Sequence, residues 1–202
     1  MPPPLVLAST SPYRKALLDR LAVAYEVAAP GTDETSGAGE APAALALRLA
    51  QEKARAVATR RPEAVVIGSD QVAALGARLL GKPGSHEAAL EQLLACRGRE
   101  VVFHTALCVI DGPRQQIAAV NVPTTVHYRD YTAEQAERYL RFEQPYDCAG
   151  SAKIEGLGIV LIERVEATDP TALIGLPLIA LTERLLAAGY ALPAAPEPQR
   201  GA

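Results

Sequence analysis

Several absences narrow the reading before any motif is considered. Cysteine is scarce: Cys96, Cys108 and Cys148 are odd in number and widely spaced, with no CxxC pair and no histidine at metal-ligand spacing. They read as reduced thiols, which excludes a disulfide framework and a local zinc site. His86, His104 and His127 are equally scattered, so a Ser-His-Asp triad has no local support. An excess of either charge is also missing, since 20 Lys and Arg stand against 23 Asp and Glu for a net charge of −3. Nothing here marks a nucleic-acid polymer as partner, and selectivity for an anion has to come from a local site. Long apolar runs are missing as well. The apolar start breaks off after Ala8, short of the roughly 7–15-residue core of a signal peptide and of a membrane span, so a cytoplasmic protein without a membrane partner is expected. Two nucleotide motifs are absent: Pro83 follows Lys82 where a P-loop needs Ser or Thr, and no GxGxxG follows a strand.

What is present is a chain of 202 residues, 49% of them hydrophobic, enough for a substantial core. Strand and helix signals alternate, which predicts an α/β layered fold. Strands are expected over 5–8, 25–28, 64–69 and 159–165, with two long ones between 100 and 128 joined at Asp111-Gly112-Pro113. Helices are expected over 12–21, 42–60, 85–95, 132–142 and 176–188, with Thr132 and Gln135 forming a capping box. The stretches 30–42 and 144–158 read as loops, and a loop as long as the first, carrying Asp33 and Glu34, suggests function. No repeat and no clean linker appears. One domain over 1–190 is expected, with a disordered tail over 191–202.

Residues 5–14, LVLASTSPYR, run a short buried strand into hydroxyl caps and a helix that would begin at Pro12. A helix N-terminus offers unpaired N–H groups and the positive end of the dipole, hence an anion site. Arg14 in that first turn opposes the dipole, which a bound anion would explain. An ordinary capped helix with a solvated arginine fits the bare pattern equally well.

In the helix over 42–60, Leu45, Ala46, Leu49, Ala50, Ala54 and Val57 make an apolar stripe with Lys53 near its centre. Either the lysine snorkels to water, or it meets an internal carboxylate or phosphate. The apolar run AVVIGS delivers Asp70 and Gln71 at the expected end of its strand, where ligands bind in open α/β sheets. Asp70 there suits metal binding or water activation, and equally a turn cap. Lys82 in the Gly81-Lys82-Pro83-Gly84 turn is either solvated or returned to the same cleft. Cations gathered around a few carboxylates are what phosphoryl chemistry requires.

ASTSPYR, the TDE of 32–34, RLAQEKA around Lys53, GSDQV from Gly68, GKP from Gly81, the CAGS–K–EG block of 148–156 and GLPL from Gly175 stand in order across residues 4–187. In these blocks the chain resembles the Maf family of nucleotide pyrophosphatases. Tyr13, the Asp70-Gln71 pair and Glu155 look like its YceF-type branch, which acts on 7-methyl-GTP, rather than the branch acting on dTTP and UTP. The resemblance implies a Maf/ITPase-like elongated mixed β-sheet flanked by helices, two lobes about a central cleft, and commonly a homodimer. It implies cleavage of a nucleoside triphosphate between the α- and β-phosphates with Mg²⁺ or Mn²⁺, removing modified nucleotides from the pool. By position it makes Asp70 the proton acceptor, Glu34, Lys53 and Lys82 its catalytic companions, and Ser9 and Arg14 phosphate ligands. The resemblance likewise implies that Tyr13, Gln71 and Glu155 govern base choice and that Glu34 with Asp70 would hold the metal. An aromatic ring and a carboxylate suit a methylated, cationic purine. A broader base preference, or a nucleotide-responsive regulator of cell division, uses the same cradle. Two positions depart from the family pattern: Thr32 stands where valine is frequent, and Arg97-Gly98 replaces a small-residue-glycine step.

Overall fold

A computed structural model describes residues 2–193. Its sheet starts with β1 (Leu5–Leu7), three apolar residues that are all buried. Helix α1 (Pro12–Asp19) follows, with Ser11 as N-cap and Pro12 in the first turn, where its missing N–H costs no hydrogen bond. The short strand β2 (Glu26–Val27) then pairs parallel to β1. Helix α2 (Pro42–Ala58) buries Leu45, Ala46, Leu49, Ala50, Lys53, Ala54 and Val57 along one face. That is the stripe expected from the spacing, and it leads into the strand on which it packs.

That strand, β3 (Val65–Leu75), is longer than the apolar run suggests. It pairs parallel to β1 only from Val65 to Ile67 and then runs on, antiparallel to β5 (Glu100–Asp111), as far as Ala74. Asp70 and Gln71 are therefore in mid-strand and not at its end. They stand just past the point where β1 stops, so the open space expected at a carboxyl end lies beside them all the same. A hairpin at Gly76 leads into β4 (Arg78–Leu80), which pairs back on β3 and was not expected. Helix α3 (His86–Cys96) starts at the Ser85 cap. β5 and β6 (Gln116–Tyr128) form the long hairpin, and α4 (Ala133–Glu143) carries the Thr132–Gln135 capping box.

Residues 159–161 depart from the expected strand. Leu157–Leu161 form a 3-10 turn, and the edge strand β7 (Ile162–Ala167) begins only at Ile162. The N–H groups of Gly156 and Gly158 donate to the Lys153 carbonyl at 3.1 and 3.0 Å and that of Leu157 to Glu143 Oε2 at 2.8 Å, which holds this segment in a tight turn instead of the ladder, and Gly158 lies against the Lys153 backbone where a side chain would not fit. Helix α5 (Leu178–Ala187) closes the described chain. The tail expected to be disordered falls largely outside the described residues, since description ends at 193.

The result is a seven-stranded mixed sheet in the order β2-β1-β3-β5-β6-β7, with β4 on β3. Leu17, Leu18, Leu181 and Leu185 cover one face of its first half, and the α2 stripe covers the other. A third cluster, with Phe103, Tyr128, Tyr139 and Leu93, fills the far end beneath α3 and α4. Each fully buried leucine contributes about 1.5–3 kcal/mol. Two apolar lobes thus share one sheet, and the polar residues of β3 cross between them.

Candidate active site

Between the lobes lies a cleft of about 580 Å³. Ser9, Tyr13, Arg14, Glu34, Lys53, Asp70, Gln71, Lys82 and Glu155 all line it, though they come from six separate stretches of chain.

At its centre Lys53 is buried, and its Nζ meets Asp70 Oδ1 at 2.6 Å and Glu34 Oε1 at 2.5 Å. Snorkelling is excluded, because the ammonium ends on carboxylates inside the protein. Two residues before Asp70, Gly68 permits the contact. A Cβ there would lie 2.7 Å from the Ala54 nitrogen and 2.8 Å from its Cβ, and closer still to the Ala50 carbonyl. Helix α2 therefore rests directly on β3, which sets Lys53 opposite Asp70. Asp70 Oδ2 makes no hydrogen bond among the described residues, while Oδ1 is held by the lysine.

Glu34 arrives from the loop over 30–42 and is largely exposed. Partial burial works against its ionisation, but the Lys53 hydrogen bond and the charges of Lys53, Lys82 and Arg14 outweigh it and hold the carboxyl below its ordinary value. The loop is tied down behind it. Arg48 on α2 donates to both oxygens of Glu40 at 2.8 Å and to the Thr35 carbonyl at 3.0 Å.

The start of α1 supplies fewer amides than an open helix end would. Pro12 has none, and the Arg14 N–H reaches Ser11 Oγ at 3.4 Å, which leaves the Tyr13 N–H without a partner among the described residues. Ser9 Oγ accepts from the Ser11 N–H at 3.1 Å and keeps its own proton to donate. Arg14 commits only Nε, to the Gly175 carbonyl at 2.9 Å, and Ser69 Oγ donates to that same carbonyl at 3.1 Å. Gly175 has a φ of 127°, a conformation that favours glycine, and it brings the GLPL segment onto the arginine. Desolvation lowers the Arg14 pKa while Asp70 and Glu34 support it, and an arginine keeps its charge under such a shift.

On the other side of Tyr13 the surroundings change sign. Its hydroxyl donates to Asp147 Oδ2 at 3.4 Å and lies 3.8 Å from Cys148 Sγ. Burial first, then Cys148 and the charges of Asp147 and Glu155, push the phenol well above its ordinary value, so it stays a donor. Burial also pushes the Cys148 thiol up to about 11, which leaves it neutral and unsuited to nucleophilic attack. Gln71 differs from the simple picture of a side chain free to read a base. Its Nε2 is fixed by Thr105 Oγ1 at 2.9 Å and by the carbonyls of Ala172 at 3.0 Å and Leu173 at 2.9 Å. What it can present to the cleft is its oxygen.

Sequence reasoning missed Asp147, whose only signal was a place beside the CAGS block, and Gly175 as the anchor of Arg14. It also missed the clasp that holds the loop carrying Asp147. His86 bridges Tyr146 Oη at 2.9 Å and Glu137 Oε2 at 2.8 Å, and the Gly84 N–H donates to the Tyr146 carbonyl at 3.0 Å, tying that loop to the Lys82 turn.

Among the described residues no group of three His, Cys, Asp or Glu side chains could hold a metal ion. Glu34 and Asp70 nevertheless offer hard oxygen donors beside the free Oδ2. Two carboxylates with phosphate oxygens suit Mg²⁺ or Mn²⁺, which keep several waters and need no complete protein cage. Nor is any helix among the described residues long and apolar enough to cross a membrane.

Residues 4–188 match the family model for Maf-like protein. A protein of Cupriavidus pinatubonensis is 56% identical over 188 residues, covering 93% of this chain and 94% of its own. One from Paraburkholderia xenovorans is 57% identical over 194 residues, 95% of each chain. One from Thiobacillus denitrificans is 57% identical over 187 residues, 93% of each. All three bear the name 7-methyl-GTP pyrophosphatase.

Proposed function

The chain belongs to the Maf-like proteins, and from that premise we propose that it hydrolyses 7-methyl-GTP between the α- and β-phosphates, giving 7-methyl-GMP and pyrophosphate. One observation carries the reading: a carboxylate with one oxygen held by a buried lysine and the other unengaged, in a cleft that also gathers Arg14 and Lys82. That is a general base facing a polyphosphate site, in a chain whose relatives are named for that reaction.

Arg14 meets the phosphates through the terminal nitrogens that Gly175 leaves free, with Lys82, the Ser9 hydroxyl and the Tyr13 N–H as further donors. Asp70 Oδ2 takes a proton from the water that attacks the α-phosphorus. The new P–O bond forms as the bridge to the β-phosphate breaks, and pyrophosphate leaves against Lys82 and Arg14. Lys53 fixes the angle of Asp70 and offsets charge at the reacting phosphate. Glu34 would hold the divalent cation, with Asp70 facing it through a water, and the cation when bound supplies charge neutralisation and a more acidic water. Tyr13, Gln71 Oε1 and Glu155 receive the base. Residues 1–190 act as one domain, in the cytoplasm. A homodimer belongs to the same reading, supported by exposed apolar residues such as Phe142 and Val160 on the outer lobe, and light scattering checks it.

Turnover of 7-methyl-GTP, GTP, dTTP and UTP with Mg²⁺ and with Mn²⁺ tests the proposal. The expected result is pyrophosphate release with the highest kcat/KM on 7-methyl-GTP. Preference for dTTP or UTP, or release of orthophosphate, overturns it.

A further inference from the structure

The cleft carries opposite charges at its two sides. Lys53, Lys82 and Arg14 act together on Glu34, whereas the charges acting on Tyr13 and Cys148 are the carboxylates of Asp147 and Glu155. Lys153, a cation whose charge interacts with Glu155, is held by Glu143 at 3.3 Å and does not line the cleft. Methylation at N7 gives guanine a delocalised positive charge, so the substrate proposed above is itself dipolar, cationic at the base and anionic at the phosphates. The family resemblance accounts for one carboxylate at the base side, Glu155. The structure places a second there.

We infer that Asp147 is a specificity-determining residue, whose charge favours a cationic, N7-alkylated purine over the neutral base. This rests on the proposed reaction and extends its base recognition. Asp147 is exposed on the cleft wall, and its two oxygens contact the Tyr13 hydroxyl at 3.4 Å and the Cys148 thiol at 3.5 Å. Neither contact neutralises it, because both partners are uncharged, and Asp147 takes part in no salt bridge among the described residues. Its negative charge is thus available to a ligand, next to the aromatic ring on which such a base would stack. A cation between a ring face and a carboxylate gains from both, and a neutral guanine, which can still stack and donate hydrogen bonds, lacks that charge attraction. The His86–Tyr146 clasp keeps Asp147 at that wall.

The test compares kcat/KM for 7-methyl-GTP and for GTP in the wild type, Asp147→Asn and Tyr13→Phe. Asparagine keeps the oxygen that accepts from Tyr13 and removes only the charge. The 7-methyl-GTP to GTP ratio is expected to fall roughly tenfold in Asp147→Asn, the loss appearing in KM for the methylated substrate. In Tyr13→Phe the ring remains and most of the ratio is kept. Because the ratio is internal to each variant, partial misfolding does not imitate the effect. An undiminished ratio in Asp147→Asn overturns the inference, and so does an equal loss in Tyr13→Phe, which would make Asp147 a mere anchor for the phenol. A wild type without preference for the methylated nucleotide instead overturns the reaction proposed above.

Discussion

Lys53 carries a charge into an apolar stripe because two carboxylates meet it there. Its place on the buried face was legible from helical spacing alone, but its partners were not, since Asp70 is 17 residues away along the chain. Replacing it by methionine keeps the apolar stem and leaves Asp70 Oδ1 unpaired. Lys53→Met is expected to fold with a loss of about 1–3 kcal/mol in urea unfolding and to turn over roughly 10²–10³-fold more slowly. Wild-type kcat would return the lysine to a packing role. Thr32 gives the opposite sign. It stands where the family often has valine, and its hydroxyl is buried without a partner among the described residues. Thr32→Val removes a desolvated polar atom without changing shape, so it should stabilise the protein by about 1 kcal/mol, seen as a higher Tm. An unchanged or lower Tm would show that the hydroxyl is satisfied in solution.

The loop over 30–42 places Glu34 through a contact several residues further on, between Glu40 and Arg48. The hydrogen bond from Arg48 and then the Gly37 N–H hold the Glu40 carboxyl at about 2, against an ordinary 4.5. A lowered carboxyl pKa stabilises the fold at pH values above 4.5, and that contribution is lost as pH falls from 4.5 to about 2. Glu40→Gln should therefore lower Tm at neutral pH, and the gap to the wild type should close across that window in thermal melts. A gap independent of pH would contradict the ion pair. Elements were readable where pattern and punctuation agreed, as at the Thr132 capping box and the Asp111-Gly112-Pro113 hairpin. Strand β3 was misread at its end because Asp70 and Gln71 interrupt an apolar run that resumes with Val72-Ala73-Ala74. The two polar side chains mark a crossing between lobes, which looks like a strand end from the sequence. At 159–161 the apolar residues suggested a strand, and only the bonds from Gly156 and Gly158 back to the Lys153 carbonyl, with Gly158 pressed on that backbone, show why a 3-10 turn forms there instead.

At the scale of the whole molecule, one sheet carries two apolar lobes and leaves its polar middle open, so the groups that line the cleft come from distant parts of the chain. Asp147 lies 134 residues from Tyr13, and no local spacing could have joined them. The side proposed for the phosphates was more legible, because helix starts, buried charges and strand carboxylates each conflict with a local rule. The side proposed for the base breaks no such rule, and the place of Asp147 beside Tyr13 emerges only when the loop over 144–158 folds back on α1. The shape that results, cationic at one side and anionic at the other, matches a nucleotide whose two ends are charged oppositely. The proposed chemistry depends on Asp70. The direct measurement is kcat for pyrophosphate release from 7-methyl-GTP by the wild type and Asp70→Asn, alongside nucleotide affinity for both. A fall in kcat on the order of 10²–10⁴-fold with affinity largely kept is the predicted result, and undiminished hydrolysis by Asp70→Asn would contradict it.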